Sequence, residues 1–239
     1  APSACLEFRR EPGGTGETGE DGGSITYTAS LVDGAGNAVT TANAITVELA
    51  NGETITIAAN ASSEDSAPVA VNRDDVYLEN DAISNAIRSV SEANAGAAGA
   101  FENLGFDDTP VSTTITDDSD AVTVVLTATA STGEDGGSIT YTASLVDGDN
   151  TAVTTNNEIT VELDNGETIT IAANASSGDS APVAVNRDDV YLENDAISNA
   201  ITSVSEANAG AAGAFENLGF DDTPVSTTIT DDSDAVTVV

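Results

Sequence analysis

The chain has 239 residues and a formal net charge of -36, from 41 acidic residues against five basic ones, all of them Arg (Arg9, Arg10, Arg73, Arg88 and Arg187). His is absent and Cys5 is the single Cys, which excludes Ser-His-Asp and Cys-His catalysis, imidazole-bound zinc, an intrachain disulfide and cysteine-ligated clusters. Phosphate backbones repel so acidic a chain, so no nucleic-acid partner is expected; no apolar run approaches the roughly 18 residues of a membrane helix, and Ala1 to Gly19 lacks the apolar core of a signal peptide.

High charge with few aromatics also fits disorder. Against that, 39% of the residues are hydrophobic, and they alternate with Thr and Ser, as half-buried strands do. An all-β fold is expected.

The sequence repeats itself. Gly19-Glu20-Asp21-Gly22-Gly23-Ser24-Ile25-Thr26-Tyr27 returns as Gly133 to Tyr141, an offset of 114 that holds without a gap from Thr18/Thr132 to Val125/Val239. Eight pairs differ over those 108 positions, among them Ala42/Asn156, Ala44/Glu158 and Arg88/Thr202. A period of that length is a whole domain rather than a solenoid unit. Near-identical tandem domains suit a stalk or spacer, whose job scales with copy number, better than an enzyme.

In chain order, residues 1–17 read as a segment foreign to the repeat, 18–117 as the first repeat, 118–121 as an Asp-rich linker, 122–232 as the second repeat, and 233–239 as the start of a following one. The second repeat offers strands on Val122, Val124, Leu126 and Ala128; on Ile139, Tyr141, Ala143 and Leu145; and on Ile159, Val161 and Leu163. Asn165-Gly166 is a hairpin turn. Strands follow on Ile169 and Ile171, on Val183 and Val185, and on Val225, Thr227 and Ile229. Ala196 to Val204 is ambiguous, because Ile197, Ile201 and Val204 also fit a helical face. Reading it as a strand gives seven antiparallel strands and two tandem Ig-like β-sandwiches. The first repeat lacks a counterpart to the strand Val122–Ala130 at the equivalent place, Phe8–Gly16. Leu6 and Phe8 in cis, or Val236 to Val239 of a neighbouring molecule binding head to tail, would fill that slot; the cis option is preferred.

Strand parity gathers the acids at the ends of the sandwiches. The first repeat brings Glu20, Asp21, Asp74, Asp75, Asp81, Asp117, Asp118 and Asp120 toward the junction, and the second brings Asp147, Asp149, Glu216, Asp221 and Asp222. The second repeat's Glu134-Asp135 loop and Thr230–Asp234 are expected at its far end. Like charges at 4 Å repel by about 1 kcal/mol even in water, and Ca²⁺, with six to eight oxygen ligands, is the natural remedy. A solvated surface or adaptation to high salt would instead scatter acids over outward strand faces, which carry Thr and Ser (Thr140, Thr142, Thr168, Thr170). No loop has EF-hand spacing. No apolar pocket raises a carboxyl pKa for glycoside chemistry, so the chain is read as a non-enzyme. Tyr27, Tyr141, Phe101 and Phe215 are expected to fill cores, and Arg73 and Arg187 to form ion pairs within their own domains.

Gly22–Ala29, Asn51–Ile57, Asp74-Asp75-Val76-Tyr77, Phe101-Glu102-Asn103-Leu104 and Thr109–Asp117, in this order, resemble the bacterial Ig-like extender repeats of giant RTX (LapA-type) adhesins. The resemblance covers nearly all of the chain after about residue 18. It implies type I secretion, an extracellular place on the bacterial surface, and long arrays that project a ligand-binding tip in adhesion and biofilm formation. It also implies Ca²⁺ as the ion that stiffens domains and linkers. It carries over as ligands Asp74 and Asp188, Asp75 and Asp189, Glu102 and Glu216, and linker Asp117, Asp118 and Asp120; the linker reads Asp-Asp-Ser-Asp where the family has Asp-Thr-x-Asp. The partners implied are neighbouring repeats of the same chain. The competing reading is an adhesive module that binds glycan or matrix through its own loops.

Overall fold

A computed structural model describes residues 4–11, 17–79, 81–193 and 195–238. The chain divides into two compact units, Ala1–Asp74 with Asn80–Asp118, and Asp75–Glu79 with Ser119–Val239. Both are β-sandwiches, and no helix occurs among the described residues.

In the second unit, Ser177–Asp179, Tyr141–Val146, Ala121–Ala128 and Asn217–Phe220 form one sheet in that order. Thr168–Ile171, Ile159–Leu163 and Ile201–Glu206 form another. Two smaller sheets complete the unit: Ser131–Gly133, Val225–Thr230 and Asp195–Asn199, and Asp135–Ile139 with Val183–Asn186. Period-2 alternation sends Val122, Val124, Tyr141, Ala143 and Leu145 inward from the first sheet, and Ile159, Val161, Ile169 and Ile171 inward from the second. These nine side chains share one buried cluster, each at most 1% exposed. The first unit repeats the plan around Leu6, Tyr27, Leu31, Ile45, Val47 and Ile57, all fully buried. Tyr27 and Tyr141 are core residues, as expected from a chain with so few large side chains.

Three details depart from the expected strand list. The order is not purely antiparallel: Ala121–Ala128 pairs in parallel with Asn217–Phe220, and Ser131–Gly133 with Val225–Thr230. Residues 177–179, read as a loop, form a short edge strand paired to Tyr141–Val146. The ambiguous segment is two strands, Asp195–Asn199 and Ile201–Glu206. The second of them carries a register shift opposite Glu162/Leu163, which pairs Leu163 with Ile201 but Val161 with Val204. An extra residue there flips the facing parity. That is why Ile197, Ile201 and Val204 mimic helical spacing. Buried Asn199 holds the break, its side-chain oxygen accepting the N–H groups of Asn165 (3.2 Å) and Ala200 (3.1 Å). Asn85 does the same for Asn51 and Ala86 in the first unit.

The place of the first strand in the first unit is taken by Ala4–Glu11, antiparallel to Asp21–Asp33 and parallel to Leu104–Phe106. Leu6 pairs with Leu31 and with Phe106, as Val124 pairs with Leu145 and Phe220 in the second unit. The offset at this strand is therefore 118 rather than 114, and an ungapped comparison looks four residues too late. Leu6 enters the core; the Phe8 side chain lies outside the described ones. At the other end, residues 231–238 carry no strand, and Val236 and Val238 are exposed; Val239 lies outside the described residues.

Candidate metal centre

Each unit carries the same three-carboxylate cluster at one end. In the first, Glu20, Asp74 and Asp118 each offer an oxygen, and these atoms lie within 4.8 Å of one another. In the second, Glu134, Asp188 and Asp232 do so within the same limit. The two sets are related residue for residue by the 114 offset.

The local sequence explains the placement. Glu20 sits in the tight turn between Glu17–Gly19 and Asp21–Asp33. Its N–H donates to the Thr116 carbonyl, and its own carbonyl accepts the N–H groups of Gly22 and Arg73. The backbone thus pins it between the last strand of the repeat and the loop that carries Asp74. The paired glycines are required for different reasons. Gly22 and Gly136 have φ of 97° and 75°, a region L side chains rarely enter. A Cβ on Gly23 would lie 1.7 Å from Thr18 Oγ1, and one on Gly137 would lie 2.1 Å from Thr132 Oγ1 and 2.4 Å from the Gly133 carbonyl.

Glu20 and Glu134 are buried, at 2% and 6% exposure. Glu20 Oε1 accepts the Asp118 N–H at 3.0 Å, and Glu134 Oε1 accepts the Asp232 N–H at 2.9 Å. The residue that closes each cluster is therefore held to the body of its own unit by backbone as well as by proximity. Glu20, Gly22, Asn72 and Asp74 line one open cleft.

The electrostatics of the second cluster are unfavourable without a cation. The Asp232 N–H lowers the Glu134 pKa, but burial and the charges of Asp231 and Asp232 outweigh it and hold the carboxyl above its ordinary value. Burial, Asp188 and Asp232 raise Asp234, and Asp189 and Asp195 raise Glu193. Arg187 relieves part of this through a 2.7 Å ion pair to Asp195, and Arg73 pairs with Asp81 in the first unit. These pairs are half exposed and contribute about 1 kcal/mol or less each.

A pH dependence follows. Carboxyls with raised folded pKa values stabilise the fold below their unfolded values and lose that contribution as pH rises through the folded ones. Asp33, Asp107 and Asp221 behave oppositely: hydrogen bonds from Asn37, Thr109 and Thr223 lower their pKa values. In chelator, the unfolding temperature is expected to rise as pH falls from 7 toward the ordinary Glu value of 4.5, and to fall again below the ordinary Asp value of 3.8. Calorimetry across that range checks this, and a monotonic fall from pH 7 would contradict it.

Several of the other acids expected as ligands have partners or places outside these two clusters. Asp81 is the partner of Arg73. Asp75 and Asp189 accept the N–H groups of Tyr77 and Tyr191, each at 2.7 Å, and so shape their loops. Asp147 accepts from Asp149 and Thr151, and Asp221 from Thr223, at 2.8 to 2.9 Å. Asp149, Asp222 and Glu102 are exposed. Glu216 accepts the Asp120 N–H at 2.7 Å within the second unit. Asp117, half-buried in the first unit, offers a carboxylate oxygen within 4.8 Å of one of Glu20, as expected of a ligand, and Asp21 begins the strand that follows Glu20. Glu134 and Asp232 were not among the ligands expected from sequence. The repeat offset alone would have supplied them from Glu20 and Asp118.

All donors in both clusters are carboxylate oxygens. Ca²⁺ binds oxygen at 2.3–2.6 Å, so two of its ligands lie at most about 5 Å apart. The 4.8 Å limit on both clusters is compatible with a shared hard cation. Thiolate- or imidazole-bound metals have no donors here.

Fold and site together define a tandem, acid-poled β-sandwich repeat. The model of the LapA domain matches the chain twice, at residues 14–118 and 120–232. The chain belongs to the LapA domain family, whose members are adhesin repeats, proteins of the cell surface and the extracellular space. Comparison with curated proteins found no match. Among solved structures, domains 4 and 5 of the S-layer protein SbsC match at 11% identity over 95% of this chain and 98% of that one, with a TM-score of 0.26. The S-layer protein rSbsC(31-844) matches at 12% identity over 94% of this chain and 27% of that one, with a TM-score of 0.22. No helix among the described residues is long and apolar enough to cross a membrane.

Proposed function

We propose that these repeats are calcium-stiffened spacers of a type I-secreted RTX adhesin, holding a distal ligand-binding tip away from the bacterial surface in biofilm or host attachment. The observation that carries this reading is the duplicated cluster. Each ties the residue at the exit of a repeat, Asp118 or Asp232, to a buried Glu and a loop Asp of that repeat. Glu20, Asp74 and Asp118 would hold one ion, and Glu134, Asp188 and Asp232 another. A bound cation supplies there the positive charge that cancels carboxylate repulsion. The protein's own share is to hold the exit segment against the last strand through the Glu20 and Glu134 hydrogen bonds, so that chain direction is fixed where one repeat ends.

The same arrangement suits export. Where Ca²⁺ is scarce the acids repel one another and the fold is loose; outside the cell, Ca²⁺ binding adds directly to folding free energy. Small-angle X-ray scattering of the two-repeat chain tests the spacer role. Millimolar Ca²⁺ is expected to give a longer, better-defined maximum dimension than EGTA. Superimposable profiles in the two conditions would overturn it.

A further inference from the structure

Of the Asn residues in this chain, only Asn51 and Asn165 precede a glycine. Each sits at the tip of a hairpin, between Ile45–Leu49 and Thr54–Ile57 in the first unit and between Ile159–Leu163 and Thr168–Ile171 in the second. Asn51, Gly52, Asn165 and Gly166 are all exposed. The pair suits a hairpin because glycine accepts positive φ, here 89° at Gly52 and 84° at Gly166.

The same pair places an electrophile beside a nucleophile. The side-chain amide carbon of the Asn, Cγ, is a few bonds from the next backbone nitrogen, and glycine has no Cβ to hinder the approach. Local hydrogen bonds act on this in two ways. Asn165 Oδ1 accepts the Glu167 N–H at 3.0 Å, and Asn51 Oδ1 accepts the Glu53 N–H at 3.1 Å. The ring that each bond closes contains both reacting atoms, and its N–H donor is placed to stabilise the negative charge that develops on Oδ1 during attack. Opposing this, the Gly166 N–H donates to the Leu163 carbonyl at 2.9 Å and the Gly52 N–H to the Leu49 carbonyl at 3.0 Å. The attacking nitrogen must first give up that bond. An exposed hydrogen bond of this kind has a small net worth, so its loss slows the attack by about tenfold at most, about 1.4 kcal/mol.

We propose that Asn51 and Asn165 are sites of spontaneous deamidation in the folded protein, one in each repeat. The glycine nitrogen loses its proton to hydroxide and bonds to the Asn Cγ. The Cγ–Nδ2 bond breaks, and the amide nitrogen takes a proton from water and leaves as ammonia. Water then adds to either carbonyl of the cyclic imide, breaks one of its C–N bonds, and yields Asp or isoaspartate. Nothing is oxidised or reduced, and each event adds one negative charge. Isoaspartate also lengthens the main chain by a methylene, at a turn anchored by its backbone: the Asn165 N–H donates to the side chain of buried Asn199, and the Asp164 N–H to the Ala200 carbonyl at 3.0 Å. The longer path pulls against both anchors. Asp33 also precedes a glycine, but hydrogen bonds from Asn37 and Ala35 lower its pKa, and an ionised carboxylate is a poorer electrophile than an amide.

Peptide mapping by mass spectrometry, on the full folded chain incubated at neutral and at mildly alkaline pH, tests this. Conversion of amide to acid is expected at Asn51 and Asn165 at least about tenfold faster than at any other Asn, a barrier lower by about 1.4 kcal/mol, and faster at the higher pH. Protein isoaspartyl methyltransferase should label the same two peptides of the aged chain. A synthetic peptide of residues 160–170 sets the unrestrained rate, and the folded chain should lie within about tenfold of it. Gly166→Ala should slow Asn165 to the rate of the other Asn residues while Asn51 in the same molecule keeps its wild-type rate. Alanine is strained at that φ, so Asn165→Ser provides a second check: on isoelectric focusing it should develop a single acidic variant with age where wild type develops two. Conversion spread evenly over the other Asn residues, or a folded chain whose Asn51 and Asn165 stay intact while the peptide converts, would overturn the inference.

Discussion

Saturating Ca²⁺ is expected to raise the unfolding temperature of this chain by about 10 °C or more over the value in EGTA. A ligand at a hundred times its Kd adds about 2.7 kcal/mol to the folded state, and 1 kcal/mol moves a domain of this size by about 4–8 °C. Each unit has its own cluster, so the effect separates by mutation. Glu134→Gln keeps the size of the side chain and an oxygen to accept the Asp232 N–H, but removes a charged ligand. It should abolish most of the calcium shift in the second unit and leave the first unit's transition responsive; Glu20→Gln should do the converse. Glutamine also relieves the repulsion that raises the Glu134 pKa, so in EGTA the second unit should be no less stable than wild type. Differential scanning calorimetry, with Mg²⁺ and NaCl as controls, reads all three outcomes. A rise matched by NaCl would mean charge screening alone.

Gly137→Ala is expected to destabilise the second unit by about 2 kcal/mol and to blunt its calcium response. The added Cβ would sit 2.1 Å from Thr132 Oγ1 and 2.4 Å from the Gly133 carbonyl. The Thr side chain can rotate away, but the carbonyl belongs to a strand paired with Val225–Thr230. Relief therefore requires backbone movement, and overpacking of this kind costs about 1–3 kcal/mol. The movement would act on Glu134, which lies between Gly133 and Gly137 in the same turn. Gly148→Ala is the control: its Cβ meets nothing within 4 Å, so its effect should stay within about 0.5 kcal/mol. Thermal unfolding of both variants with and without Ca²⁺ distinguishes a turn that builds the site from one that merely connects strands. Equal shifts for Gly137→Ala and Gly148→Ala would refute the former.

The strands of the sandwich were legible because burial alternates with the side-chain period. Ile159, Val161 and Leu163, and then Ile169 and Ile171 beyond the Asn165-Gly166 turn, needed nothing further. The segment around Ile201 was not legible, because its register shift depends on the partner strand carrying Glu162 and Leu163. Parallel pairings such as Val124 with Phe220 join residues far apart in sequence, and no local pattern encodes them. The strand Ala4–Glu11 escaped for a related reason: its register comes from Leu31 and Phe106, four residues away from where the repeat offset points.

The candidate site divides the same way. Composition and repeat spacing were enough to establish that acids concentrate in loops, that the loops recur at a fixed offset, and that the donors are oxygen alone. Motifs spread along both repeats were enough for the family. Which acids meet emerged only from the folded chain. Glu20, Asp74 and Asp118 are far apart in sequence and converge because three chain segments end at the same pole. Asp75 and Asp147, equally prominent in the sequence, spend their oxygens on backbone N–H groups of their own loops. Carboxylates look alike in a sequence; a ligand differs from a loop cap only in whether local N–H groups or other carboxylates surround it, and the path of the backbone settles that.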